Sequence, residues 1–71
     1  MADSVYKFIE LVGTSSESWE KAAAAAVTQA STSVRDLRVA EIVQLDVTIE
    51  NGKIKSYRAK VKLSFKYQSK G

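Results

Sequence analysis

The chain has 71 residues, 45% of them apolar, with 11 Lys and Arg against 8 Asp and Glu and hence a net charge of +3. A chain this short buries only about 60% of the surface its unfolded form exposes, so residues 1–71 make a single domain with a thin core, too apolar to be disordered. The absence of Cys and His excludes disulfides and a structural zinc site as staples, and oligomerisation is the device that remains.

The opening M-A-D-S-V-Y-K lacks a basic region followed by an apolar stretch, and no window approaches the roughly 18 consecutive apolar residues of a membrane span. A cytoplasmic protein with no membrane partner is therefore expected. Ser4 to Val12 is rich in β-branched and aromatic residues and closes at Gly13, which predicts a strand. Val5, Ile9 and Leu11 share one face, and Tyr6, Phe8 and Val12 the other. A strand in a one-helix protein should have a wet face, so the second apolar face points to another subunit, or else covers a domain edge.

Thr14 and Glu17 stand at capping-box spacing, with Ser16 as the alternative cap and Glu17 and Glu20 favoured by the helix dipole. The helix then runs through five alanines to about Ser33. Trp19, Ala23, Ala26, Val27, Ala30 and Val34 fall on one face, and most are small, which lets a sheet approach closely. Two long strands follow, Leu37 to Glu50 and Lys53 to Tyr67, joined at Asn51-Gly52. Leu37, Val39, Val43, Leu45, Val47 and Ile49 share a face with Glu41 as the exception, and Tyr57, Ala59, Val61, Leu63, Phe65 and Tyr67 share one on the other strand. Both sets are odd-numbered, which predicts a three-residue loop or a bulge. The opposite face is polar, and Arg58 is expected to face Asp46 in preference to Gln44.

The expected fold is thus α+β, in the order β-α-β-β, with a three-stranded antiparallel sheet wrapped around one helix. Its chemistry is sparse. Without His or Cys, a phosphate loop or a nucleophile elbow, no enzyme is expected. Glu10, Glu41, Asp46 and Glu50 are candidate ligands for a hard cation such as Ca2+ if copies meet at an axis; a lone strand carboxylate is more often solvated or ion-paired. Arg58, Lys60, Lys62 and Lys66 near Tyr57, Phe65 and Tyr67 raise a single-stranded nucleic-acid reading, but alternation puts aromatics and bases on opposite faces, so nucleic acid is not the expected partner.

The blocks V-Y-K-F-I-E-L-V-G-T-S, R-D-L-R-V-A-E-I-V and E-N-G-K-I-K-S-Y-R-A-K-V-K-L-S-F-K-Y resemble the dodecin family over nearly the whole chain. The resemblance implies a hollow homododecamer that binds, stores and buffers flavins such as riboflavin or FMN. In flavin-binding dodecins a Trp stacks on the isoalloxazine ring; here that position is Val39. A family Gln that hydrogen-bonds the ring falls at Arg58, and an Arg of the facing strand at Asp46. All three pocket positions differ, with Gln44 a further candidate contact, and the sequence is similar to the calcium-binding branch. The expected function is a dodecameric small-ligand or ion store with an altered flavin pocket. A working flavin store with a non-standard pocket and a small nucleic-acid-binding module are the alternatives.

Overall fold

The computed structural model of the chain describes residues 3–66. It contains strand β1 (Tyr6–Ser15), helix α1 (Trp19–Ser31), strand β2 (Leu37–Glu50) and strand β3 (Lys53–Lys66). The sheet is antiparallel in the order β1-β3-β2, as expected. Tyr67 of the expected third strand lies outside the described residues.

The central strand supplies the sheet's half of the core. Ala59, Val61 and Leu63 alternate along β3 and meet Ala22, Ala26 and Ala30, spaced four apart on α1; these six are the buried hydrophobic residues among those described. The most buried helical stripe is therefore Ala22-Ala26-Ala30, with Ala23 and Val27 at its margin and Trp19 40% exposed. The expected face, centred on Ala23 and Val27, is rotated by about one residue.

Several local expectations are corrected. Gly13 does not close β1 but sits buried inside it, opposite Ala59, because the helix crosses the strand at that point. A Cβ there would lie 3.0 Å from the Ala22 carbonyl carbon and 3.1 Å from the Ala26 nitrogen, nearer still to the Ala22 oxygen. Ser18, not Thr14 or Ser16, caps the helix, its Oγ accepting from Lys21 N–H at 3.0 Å. Thr14 belongs to the strand, and Ser15 Oγ accepts from Glu17 N–H at 2.9 Å.

The hairpin turn is a two-residue Asn51-Gly52 turn with φ of 55° and 75°, the double left-handed geometry that suits Asn-Gly. The three-residue loop is thus replaced by the bulge, since Thr48 faces Ser56 while Ile49 faces Ile54, leaving Lys55 as the extra residue. Two further register shifts interrupt β2, at Arg38 and Val43. Between them the faces exchange. Ala40 and Ile42 oppose Leu63 and Val61 on the helix side, whereas Val39 and Glu41 oppose Ser64 and Lys62 on the outer side. Glu41 is therefore no exception, and Val39 does not share the face of Leu45 and Val47.

A 13-residue helix is about 20 Å long, whereas 14-residue strands extend about 46 Å. The helix covers β1 and β3 far more than β2, so apolar residues of β2 stay open: Ile42 is 47% and Leu45 48% exposed. With Trp19, Glu20 and Ala23 they line an open groove of about 330 Å³.

Candidate functional site

The candidate pocket positions lie on β2 and β3, where the pleat alternates side chains between the helix side and the outer side of the sheet. Asp46 and Arg58 are directly opposed, which brings their termini together on the outer side. Arg58 donates from Nε to Asp46 Oδ1 at 2.7 Å and from Nη2 to Oδ2 at 2.9 Å. This is the two-pronged geometry that makes guanidinium–carboxylate contacts directional as well as strong. The expected pairing is present, in preference to Gln44, which opposes Lys60 in the adjoining row.

The pair is braced from both sides. In the next row Thr48 and Ser56 share a hydroxyl–hydroxyl hydrogen bond at 2.6 Å. From the helix side, Trp19 Nε1 donates to the Asp46 carbonyl oxygen at 3.0 Å, and its ring meets Tyr57 edge-on, with centroids 5.1 Å apart. Trp19 was expected to serve packing; its hydrogen bond to a residue 27 positions away had no sequence signal, because only the helix–sheet crossing creates it.

The Arg58 hydrogen bonds hold the Asp46 carboxyl below its ordinary pKa, with desolvation opposing and the charges of Arg58 and Lys60 assisting. Arg58 is raised by the same contact. Because the Asp46 pKa is depressed in the folded chain, the pair contributes stability above the ordinary carboxylate value, about pH 4, and loses it as pH falls through the depressed value. Asp46→Asn should accordingly flatten the acid limb of stability measured by urea denaturation between about pH 5 and pH 2. An unchanged acid limb in the variant would refute the assignment.

Val39 is not brought to this pair. It opposes Ser64, six residues along β3 from Arg58, a distance of about 20 Å at the rise of an extended strand. It is 57% exposed. A pocket that uses Val39, Asp46 and Arg58 together therefore requires more than one copy of the chain.

The candidate cation ligands are likewise dispersed. Glu10 and Glu41 flank Lys62 in one cross-strand row, and Asp46 is held by Arg58. Glu50 lies 3.4 Å from Lys55. Among the described residues no three acidic side chains group as a metal would require. Ca2+ takes six to eight oxygens, so these carboxylates fit it only where copies pool them.

The same rows bear on the basic strand. Glu10 and Glu41 beside Lys62, and Asp46 on Arg58, place acid against base on the outer side. Tyr57 and Phe65 are on the helix side, opposite Val47 and Leu37. Two aromatics of β1 do lie on the basic face, Tyr6 opposite Lys66 and Phe8, with Lys62 Nζ 4.6 Å from the Phe8 ring centre.

Comparison with known proteins points one way. The family model described as Dodecin matches residues 5–68. A calcium dodecin of Mycobacterium tuberculosis is 52% identical over 64 residues, covering 89% of each chain. Among solved structures, dodecin from Streptomyces coelicolor superposes with a TM-score of 0.90 at 33% identity, covering 99% of this chain and 100% of its own. The Mycobacterium tuberculosis calcium dodecin, described as having a novel calcium-binding site, superposes with a TM-score of 0.80 at 48% identity over 96% and 97% of the two chains.

Proposed function

The chain belongs to the dodecin family, and from that premise we propose that it is a non-enzymatic homododecameric store for a small ligand or ion, working in the cytoplasm, whose flavin pocket is closed. The observation that carries this reading is the doubly hydrogen-bonded Asp46–Arg58 contact. It occupies two positions that the family resemblance assigns to flavin, while the third, Val39, offers an aliphatic side chain where the ring would stack. Both groups of the pair are spent on each other, and Val39 has no ring with which to stack.

Self-association is supported by the single chain's thin core and by its shape. Its radius of gyration is 14.9 Å, against about 11 Å for a compact chain of this length. On the outer face of β1, Tyr6, Phe8 and Val12 are 49–59% exposed, a surface that a second copy would bury. No described helix is long and apolar enough to cross a membrane.

Ca2+ is the ion favoured by the 52% identity to a calcium dodecin. Glu10 and Glu41, on the exposed outer side, are the carboxylates best placed for sharing between copies, because Asp46 would first have to leave Arg58. The test is a paired titration of the assembled protein, with riboflavin followed by fluorescence quenching and Ca2+ by calorimetry. Riboflavin should remain unquenched at micromolar protein while Ca2+ gives saturable heat. Tight quenching would instead establish a flavin store that uses a different stacking arrangement.

A further inference from the structure

The tip of the β2–β3 hairpin pairs a side-chain amide with an unhindered backbone nitrogen. Asn51, the single Asn of the chain, precedes Gly52, and both are exposed. Gly has no Cβ to obstruct its own nitrogen. Nothing lies within 4 Å of the position a Cβ would take on Gly52, so that side of the turn is open to water. Glu50 and Lys53 form the last row of the ladder, which leaves the two turn residues outside it. Among the described residues, neither the Gly52 N–H nor the Asn51 side-chain amide takes part in a hydrogen bond.

The nitrogen of Gly52 can close a ring on Asn51 Cγ only if the Asn51 ψ angle leaves the closed turn, so the tip must first open. Opening costs little where few apolar contacts hold a segment. Ile49 and Ile54, the row next to the tip, are 68% and 56% exposed. The ladder is already interrupted there by the bulge at Lys55, and the buried residues of β3 begin only at Ala59. Glu50 and Lys55 do pair at 3.4 Å, but both side chains are more than half exposed, and such contacts contribute little.

We propose that Asn51 is a site of spontaneous modification, converting in the assembled protein to a mixture of aspartyl and isoaspartyl residues. The Gly52 nitrogen loses its proton and bonds to Asn51 Cγ, the Cγ–Nδ2 bond breaks, and Nδ2 takes up a proton and leaves as ammonia. Water then opens the cyclic imide. Addition at Cγ restores the ordinary chain with a carboxylate side chain. Addition at the Asn51 main-chain carbonyl leaves the backbone running through the side chain, longer by one methylene. Water is the co-reactant, and nothing is oxidised or reduced. Either product lowers the net charge of +3 by one, and the isoaspartyl form no longer fits a two-residue turn. The site shares no residue with Val39, Asp46 and Arg58, so it stands independently of the closed flavin pocket.

The test is incubation of the assembled protein at mildly acidic and mildly alkaline pH, with peptide mapping by mass spectrometry and an assay of released ammonia. Isoaspartyl product is read by methyl transfer from labelled S-adenosylmethionine with an isoaspartyl methyltransferase, and a free peptide of residues 47–56 is the unfolded reference. The fragment containing Asn51 should gain the mass of an amide-to-acid exchange, faster at alkaline pH and at a rate within about tenfold of the peptide. The same fragment should accept methyl groups. Asn51→Gly keeps a turn sequence of the same type and should abolish all three signals from that fragment. Conversion of the peptide while the assembled protein stays unchanged would overturn the proposal, because the tip would then be held shut. So would ammonia release undiminished in Asn51→Gly. Native mass spectrometry checks assembly of the variant, and the comparison with the peptide decides the matter even if the variant fails to assemble.

Discussion

Gly13→Ala is expected to cost about 3 kcal/mol of stability, the upper end of what overpacking a well-packed site costs. The new methyl group would meet the carbonyl of Ala22 and the nitrogen of Ala26. Both are helix backbone and cannot swing aside as a flexible side chain would, so the helix must lift from β1. Lifting it also loosens Ala22 and Ala26 from Ala59 and Val61, the centre of a core of six buried hydrophobic residues among those described. Urea denaturation followed by circular dichroism measures the loss. Gly52→Ala provides the contrast: nothing lies within 4 Å of its Cβ position, but φ is 75°, so its cost is conformational strain of about 1 kcal/mol. Equal costs at the two glycines would refute the close-approach argument.

The second large effect is a gain of binding. Val39→Trp combined with Asp46→Arg and Arg58→Gln should tighten riboflavin at least about thirtyfold over the parent protein, because stacking contributes about 1–3 kcal/mol per aromatic contact and a sandwich makes two. The exchange also breaks the ion pair at the two positions that the family resemblance assigns to the pocket. Val39 is more than half exposed, so the larger side chain meets no packed wall within its own chain. The readout is quenching of riboflavin fluorescence by the assembled variant. If the triple variant binds no better than the parent while its assembly is intact, the closed-pocket reading fails. Val39→Trp alone should recover part of the gain, since the Asp46–Arg58 pair would still occupy the polar side of the site.

Element order, strand lengths and the antiparallel sheet were legible because each rests on local chemistry. Alternation runs unbroken through Tyr57, Ala59, Val61, Leu63 and Phe65, and Asn51-Gly52 is a turn signal of two residues. The Asp46–Arg58 pair was also legible, because the odd-numbered apolar sets of the two strands must face each other, which sets even-numbered residues against even-numbered ones and calls for the bulge found at Lys55. Three features were not. The register shifts at Arg38 and Val43 carry no Gly or Pro to mark them, and they moved Val39 to the outer side. The helix cap was displaced to Ser18 because β1 continues through Gly13 to Ser15, and a strand's end depends on its partner. The Trp19 hydrogen bond to Asp46 joins residues far apart in sequence.

By itself the sequence determined the α+β architecture and, through its motifs, the dodecin family, since these reside in residue types, spacing and periodicity. Only the tertiary structure decided which side of the sheet Val39 faces and that it lies about 20 Å from Arg58 within one chain. Bulges change facing without changing composition, so they leave no periodic trace in the sequence.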